Sequence, residues 1–89
     1  MLPVRTVNQF RKDLKKAKRQ GKDTELLKQL ITSLAGREPL ADKYRDHALR
    51  GDYADCRECH LNPDWLLIYR LTEDELQLIR LGSHSELFG

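Results

Sequence analysis

The chain has 89 residues, of which 39 % are hydrophobic and 34 % are charged, with a formal net charge of +2 at pH 7. A chain of this length is expected to form one domain, residues 1–89, because it cannot divide its buried surface between two cores, and its alternation of apolar and polar residues argues against disorder. The longest apolar run, Trp65 to Tyr69, is far shorter than the ~20 residues that cross a bilayer, and no secretory signal opens the chain, so we expect a cytoplasmic protein with reduced cysteines.

Positive charge is concentrated at the start of the chain. Residues 1–37 contain ten Lys and Arg against three Asp and Glu, a net charge of +7, whereas residues 38–89 contain six against eleven, a net charge of −5. Such a basic segment suits a polyanion, because the neutralisation of phosphates releases counterions whatever the base sequence. A lysine-rich helix surface that faces only water explains the same charge equally well.

The first predicted elements are a strand and a helix. Weak alternation over Leu2–Thr6 indicates the strand, and Asn8 is a good N-cap for the helix that follows. Three apolar residues then recur at helical spacing before Gly21: Phe10, Leu14 and Ala17.

A second helix is predicted after Asp23, which can cap it, and Gly36 and Pro39 mark its end. One apolar stripe runs along it: Leu26, Leu27, Leu30, Ile31 and Leu34. The two helices therefore form a hairpin. Its outer faces carry the basic side chains that are candidates for contact with a polyanion: Arg11, Lys12, Lys15, Lys16, Lys18, Arg19 and Lys28.

The second half of the chain is predicted to be a sheet. After a polar, irregular stretch from Pro39 to Gly51 the apolar period changes to two, which indicates strands at 53–60, 65–71 and 75–81. The turn sequences Asn62–Asp64 and Thr72–Asp74 are typical of antiparallel hairpins. The predicted order is βααβββ, an α+β fold with a helical hairpin packed on a small antiparallel sheet.

Three histidines, His47, His60 and His84, lie at the edges of these predicted elements. A single histidine is more often a surface or core residue than a catalyst. In an antiparallel meander, however, the end of one strand at His60, the start of the next at Asp64 and the end of the last at Arg80 and His84 can come together. The sequence therefore predicts a shared site.

Such a group of side chains suits the cleavage of RNA by its own 2′-hydroxyl. This reaction needs a base for the hydroxyl proton, an acid for the 5′-oxygen and a cation near the phosphorus, and it requires no metal or other cofactor. Histidine, with an ordinary pKa of ~6.5, can serve as acid or base at neutral pH, and the guanidinium of Arg80 can contact two phosphate oxygens. Phe88 can stack on a base or fold back on the sheet.

Several motifs match one family closely. They are Tyr44-Arg45-Asp46-His47, then Gly51, then His60-x-x-Pro63-Asp64-Trp65-Leu66-Leu67-Ile68-Tyr69, and finally Gly82-Ser83-His84 with Leu87-Phe88-Gly89. Over residues 43–89 the chain resembles the YafQ-type toxins of the RelE/ParE superfamily, whose fold is that of RelE and the microbial ribonucleases. It departs from them at Ala48, where proline is expected, and at Cys56 to Cys59.

The resemblance implies a ribosome-dependent endoribonuclease that cuts messenger RNA in the decoding site and is held inactive by a cognate antitoxin. It implies His84 as general acid, Asp64 or His60 as base and Arg80 as phosphate clamp. His47 would be a supporting contact and Phe88 a stacking aromatic. The basic helices would then face ribosomal RNA, and the antitoxin is expected to bring an acidic, partly disordered segment.

Two other functional readings stay open at this point. The same scaffold can bind a protein target such as gyrase, as ParE-like toxins do, although the retained histidines argue against this. A basic helical hairpin can also bind RNA or DNA with no activity, but this leaves the His, Asp and Arg residues unexplained.

One further motif matches a haem-binding pattern that the rest of the sequence argues against. Cys56-Arg57-Glu58-Cys59-His60 fits the pattern for c-type haem attachment, yet the chain has no export signal and its only methionine is Met1. Residues three apart on a strand point to opposite faces, so the two thiols are expected to diverge, which also argues against zinc at this place. We therefore expect neither haem nor metal there.

Overall fold

The computed structural model describes residues 1–89, which form five strands and three helices. Strand β1 spans Val4–Thr6, β2 His47–Ala48, β3 Arg57–Asn62, β4 Trp65–Leu71 and β5 Leu76–Gly82. Helix α1 spans Asn8–Arg19, α2 Thr24–Ala35 and α3 His84–Phe88, and two short 3₁₀ turns occupy Asp42–Tyr44 and Gly51–Tyr53.

The five strands form one mixed sheet in the order β1-β5-β4-β3-β2. The predicted α+β class and the three long strands are confirmed. The sheet is not wholly antiparallel as expected, because β1 pairs with β5 in parallel. Parallel neighbours need a crossover, and the helical hairpin together with β2, β3 and β4 supplies it. The two-residue β2 and the five-residue α3 were not predicted, since neither is long enough to show a period.

The ends of the two long helices bear out one capping prediction and contradict the other. The Asp23 side chain accepts a hydrogen bond of 3.0 Å from the backbone N–H of Leu26 and caps α2 as predicted. Asn8, by contrast, is the first residue inside α1, and the N-cap is Val7 without a side-chain hydrogen bond. The Asn8 side chain instead accepts a hydrogen bond from Arg11, one turn along the helix.

The strand predicted at 53–60 begins later than expected. Gly51 adopts a left-handed backbone conformation (φ +68°) and begins a 3₁₀ turn. After this turn, the backbone N–H of Cys56 donates a hydrogen bond of 2.8 Å to the carbonyl of Tyr53. The backbone N–H of Leu49 in turn donates to the carbonyl of Cys56, at 3.0 Å. These local bonds hold residues 51–56 in a closed loop, so the strand starts at Arg57.

Successive residues of β4 face opposite sides of the sheet, as the strand period requires. Trp65, Leu67 and Tyr69 pack with α1 and α2 in the main core. Leu66 and Ile68 pack on the other side with Leu87 of α3. The long helices thus cover one face, while the second face carries only α3 and the surrounding loops. None of the three helices has the length and hydropathy that a membrane crossing requires.

Candidate active site on the open face of the sheet

The sheet register places the predicted site residues on the face of Leu66 and Ile68, which we call the open face. His47 of β2 lies opposite Glu58 of β3, Glu58 opposite Ile68, and Ile68 opposite Arg80 of β5. One step along the strands, His60 lies opposite Leu66 and Leu66 opposite Gly82. Strands are spaced by ~4.8 Å, so Glu58 and Arg80 flank Ile68 at a backbone separation of roughly 10 Å.

The three imidazoles form a continuous row. The ring centroids of His47 and His60 are 5.9 Å apart, and those of His60 and His84 are 5.6 Å apart. His60, in the middle, is the most enclosed, with 14 % of its side chain exposed. The ends of β3 and β5 thus lie close together at His60 and His84, and His47 extends the row from β2.

His84 is fixed by Asp64. It is the first residue of α3, whose N-cap Ser83 forms a reciprocal capping box with Glu86. One carboxylate oxygen of Asp64 accepts hydrogen bonds from the His84 backbone N–H at 2.9 Å and from ring Nδ1 at 2.8 Å. These bonds, the backbone one first, lower the pKa of Asp64. Since a carboxylate only accepts, Nδ1 carries a proton and Nε2 is the nitrogen available to a ligand.

Glu58 lies between His47 and His60 and was missed by the sequence analysis. Its oxygen Oε2 is 3.1 Å from Nε2 of His47 and 3.3 Å from Nε2 of His60. Glu58 is 4 % exposed, and its other oxygen, Oε1, is buried without a hydrogen-bond partner. The available signal was its position two residues before His60 on one strand, which places both side chains on the same face.

Both ring nitrogens of His47 face oxygen atoms. Nδ1 lies 2.6 Å from the carbonyl oxygen of Arg45, which can only accept, so this contact requires a proton on Nδ1. Nε2 faces the carboxylate of Glu58. The ring of His47 is thus oriented by the backbone on one side and by Glu58 on the other.

The segment that carries His47 is anchored by its neighbour Asp46. The carboxylate of Asp46 accepts hydrogen bonds from the hydroxyl of Tyr69 at 2.5 Å and from Nε of Arg57 at 3.1 Å. Burial, and then the bond to this carboxylate, raise the pKa of Tyr69, so its hydroxyl stays a donor. The Tyr-Arg-Asp-His motif thus holds β2 at the edge of the sheet.

Arg80 also lies on the open face, but its guanidinium is bound by a residue of α1. Asp13, whose side chain is 10 % exposed, accepts hydrogen bonds from Nε of Arg80 at 2.8 Å and from the Leu81 backbone N–H at 3.0 Å. The bond to Asp13, and a further one to Tyr53, outweigh the effect of burial and raise the pKa of Arg80. Nothing in the sequence pattern pointed to Asp13, a single acid on a basic helix.

Phe88 is 49 % exposed and meets the ring of Tyr53 edge-on, with centroids 6.1 Å apart. It therefore does not fold into the core. Gly82 allows the whole of α3 to sit close to β5, because a Cβ atom there would lie 3.3 Å from Cβ of Glu86 and from Cδ2 of Leu87.

Helix α3 is also tied to α1. Glu86 accepts a hydrogen bond from Lys16 and a second from the backbone N–H of Ser83. These bonds, the Lys16 bond first, lower the pKa of Glu86 to about 2. The terminal helix, with both His84 and Phe88, is thus held by contacts to the basic helix.

The other predicted basic residues lie mostly on the outer helix surfaces. Lys12, Lys15, Lys18 and Arg19 are exposed. Arg11 bonds to Thr6 and Asn8, and Lys28 lies 3.5 Å from Glu25. Three of the basic residues also share a surface depression of about 500 Å³ with Arg80: Lys12, Lys16 and Arg19. The charge of α1 is therefore continuous with the open face.

The two cysteines lie on opposite sides of the sheet. Cys59 is fully buried in the main core, where burial raises its pKa to about 12. Cys56 packs beside the smaller cluster of Leu66 and Ile68, and burial raises its pKa as well. The predicted divergence of the two thiols is confirmed. A separate group, His47, Glu58 and His60, has one ligand atom from each residue within 4.8 Å of the others. This arrangement resembles a metal site, and no sequence motif predicted it.

Comparison with known proteins identifies the family of this chain. A family model described as "Bacterial toxin of type II toxin-antitoxin system, YafQ" matches residues 2–89. The mRNA interferase toxin YafQ of Escherichia coli K12 is 44 % identical over 82 residues, which cover 91 % of this chain and 89 % of that protein.

Solved structures show the same fold. A metal-bound toxin from Helicobacter pylori is 51 % identical with a TM-score of 0.93, covering 99 % of this chain and 100 % of that one. The toxin–antitoxin complex DinJ–YafQ of E. coli matches at 40 % identity and a TM-score of 0.92, over 99 % of this chain and 98 % of that one. The family that the motifs predicted is confirmed: the chain belongs to the YafQ family, bacterial toxins of type II toxin–antitoxin systems.

Proposed function

We propose that this toxin is an endoribonuclease that works on the ribosome in the cytoplasm and cleaves messenger RNA by general acid–base catalysis. The observation that carries the proposal is the row of three imidazoles, each in contact with a carboxylate, on the one face of the sheet that the long helices leave open. The E. coli relative, 44 % identical, is named an mRNA interferase.

The acid is His84. Asp64 binds its Nδ1–H and stabilises the charged ring, so Nε2–H can be given to the leaving 5′-oxygen. Asp64 is then a poor choice for the base, because its pKa is lowered and its bound oxygen is engaged with His84. Of the two bases that the sequence left open, His60 is favoured, with Glu58 to receive the proton that His60 takes up.

The reaction balances with these groups. His60 removes the proton of the 2′-hydroxyl, the 2′-oxygen forms a bond to the adjacent phosphorus, and the bond from phosphorus to the 5′-oxygen breaks as His84 protonates that oxygen. The products are a 2′,3′-cyclic phosphate and a 5′-hydroxyl. Each proton transfer contributes roughly 10²- to 10⁴-fold in rate.

Other side chains bind the substrate. Arg80 has Nε and Nη2 bound to Asp13, at 2.8 and 3.4 Å, and its Nη1 is proposed to contact the phosphate. Phe88, half exposed beside Tyr53, is proposed to stack on a base. The basic faces of α1 and α2 are proposed to bind ribosomal RNA, whose phosphates attract them whatever its sequence.

The test adds purified toxin to translating ribosomes and maps the cut sites by primer extension. We expect cuts within the decoding-site codon, a cyclic phosphate at the upstream end, and a loss of at least ~100-fold for His84→Gln. If the toxin acted by binding gyrase, its His84→Gln variant would still arrest growth. Absence of cuts with wild-type toxin contradicts the proposal.

The toxin is also proposed to bind a cognate antitoxin, as the DinJ–YafQ complex does. The exposed lysines of α1 favour a partner segment that is acidic and folds on contact. Co-purification with the product of the adjacent gene, and restored growth on its co-expression, are the expected results.

We also propose a second property, the binding of a transition-metal ion by His47, Glu58 and His60. Two imidazole nitrogens and a buried carboxylate meet within 4.8 Å, and Oε1 of Glu58 has no other partner. Imidazole and carboxylate together suit zinc, copper or nickel, and one similar H. pylori toxin is described as metal-bound. Because an ion between Nε2 of His60 and Glu58 would block the passage of a proton from His60 to Glu58, it is expected to inhibit cleavage.

Isothermal titration with Cu²⁺ or Zn²⁺ tests the second property. One equivalent should bind to the wild type and bind at least about tenfold more weakly to Glu58→Gln, because the charged ligand is lost. Equal affinity in the two proteins contradicts the assignment.

A further inference from the structure

An open cleft of about 700 Å³ adjoins one end of the imidazole row. Its walls include His60 and His84, the segment Lys43–Arg45, and Leu26 of α2. The volume falls in the range of about 300 to 1,000 Å³ that is typical of small-ligand sites. Neither Arg80 nor Phe88 lines the cleft, so the substrate contacts proposed above leave it unused.

The cleft has the chemistry to hold one nucleotide. Its lining combines Tyr44, Leu26 and Leu61 with the cations Lys43 and Arg45, and no acidic side chain lines it. Nζ of Lys43 lies 5.2 Å from the centroid of the Tyr44 ring. Aromatic and apolar surface accepts a base, and the cations beside it accept the phosphate.

The walls are held in place by the site itself. Arg45 adopts a left-handed conformation (φ +48°), and its carbonyl accepts the hydrogen bond from Nδ1 of His47. Tyr44 packs against the main core. The position of the cleft is thus fixed relative to the imidazoles that would act on the adjacent phosphodiester.

We infer that this cleft binds the base of the messenger-RNA nucleotide on one side of the scissile phosphate, and that Lys43 and Arg45 contact its phosphate. The inference rests on the proposed nuclease function. It assigns a specificity role to residues 43–45, separate from the proton transfers of His60 and His84.

The test couples a change in the cleft to a change in the RNA. Ribosomes are programmed with a short mRNA in which the nucleotide on either side of the cut site is intact or abasic, with its ribose retained. Single-turnover cleavage is compared for wild type, for the double variant Lys43→Gln/Arg45→Asn and for the filled cleft Leu26→Trp. Asparagine tolerates the left-handed conformation of Arg45. The control Arg50→Gln/Arg70→Gln removes two exposed cations elsewhere.

For the wild type and the control, removal of the base on one side should slow cleavage by about 5- to 100-fold, the range of base stacking. The cleft variants should be slow with intact RNA and insensitive to removal of that base. Equal sensitivity in all four proteins overturns the inference. The inference is also overturned if the cleft variants cleave every RNA more slowly but remain as sensitive to removal of the base as the wild type. In that case the cations would bind ribosomal RNA.

A separate measurement distinguishes failure of the inference from failure of the nuclease function. Titration of the free toxin with a single-stranded RNA tetranucleotide should shift the NMR signals of Tyr44 and His60 in the wild type and in the Arg50→Gln/Arg70→Gln control. Loss of this response in Leu26→Trp is expected. If wild-type toxin cuts no mRNA but its Tyr44 and His60 signals shift with the tetranucleotide, the nuclease proposal fails and the assignment of the cleft as a nucleotide site is kept. If these signals do not shift, the assignment of the cleft is overturned.

Discussion

Asp13 on α1 binds the guanidinium of Arg80 on β5 with a nitrogen–oxygen distance of 2.8 Å. The same carboxylate oxygen accepts the backbone N–H of Leu81 at 3.0 Å. One half-buried acid therefore fixes both the side chain and the strand that present the proposed phosphate clamp. Asp13 acts through Arg80, so we treat it as a positioning residue.

Asp13→Asn should slow cleavage by about 10- to 100-fold, the range for loss of a hydrogen bond to a charged group. The loss should fall on the rate of the bound complex, with ribosome affinity nearly unchanged. Asp13→Asn combined with Arg80→Gln should cost little more than Arg80→Gln alone, because the two residues act as one unit. Glu75→Gln, which removes the partner of Arg5 just before β5 begins, is the control. Additive losses in the double variant contradict the positioning role.

Glu58→Gln keeps the shape of the buried side chain but removes the charge that His47 and His60 face. The neutral amide cannot receive the proton that His60 is proposed to take up. We therefore expect slower cleavage by the bound complex, measured as the single-turnover rate. Cleavage at the wild-type rate contradicts the role of Glu58.

Gly82→Ala places a methyl group 3.1 Å from Oε1 of Glu86 and 3.3 Å from Cβ of Glu86 and Cδ2 of Leu87. Since backbone-linked Cβ atoms do not yield easily at that distance, α3 should move away from β5 and take His84 and Phe88 with it. We expect at least about tenfold lower activity, with a loss of stability of only about 1–3 kcal/mol, typical of mild overpacking. If the Gly82→Ala variant cleaves at the wild-type rate and the NMR signals of its His84 ring are unshifted, the prediction is wrong.

The bond between Lys16 and Glu86 gives stability a defined pH dependence. The pKa of Glu86 is lowered from an ordinary 4.5 to about 2 in the folded protein. Its contribution is therefore fully present above pH 4.5 and is lost as the pH falls toward 2. The difference in melting temperature between wild type and Glu86→Gln should shrink over this window. A difference that stays constant between pH 5 and pH 2 is inconsistent with an ionised Glu86.

Sequence patterns predicted the parts of the fold that are long and regular. The Asp23 cap and the strands 65–71 and 75–81 follow from local periods and turn residues, and each agrees with the structure within a residue or so. The start of β3 did not follow, because hydrogen bonds within residues 51–56 compete with strand pairing there.

The sequence predicted only those site residues that lie at the ends of predicted strands or in the recognised motifs. The convergence of His60, Asp64 and His84 followed from the turn between β3 and β4. Asp13 was missed because its partner lies 67 residues away in sequence. Glu58 was missed because its spacing from His60 shows only a shared face, and the contact that marks its role is to His47, 11 residues away. An acid on a helix or a strand ordinarily faces water, and only tertiary contacts reveal that these two do not.

The alternation of β3 against β4 links catalytic competence to correct folding. If β3 slipped by one residue, Glu58 and His60 would be driven into the hydrocarbon interior and Cys59 would be turned toward water. Such a misaligned chain would be unstable as well as inactive. A misfolded copy of this toxin is therefore a target for proteolysis rather than a source of partly active, poorly controlled nuclease.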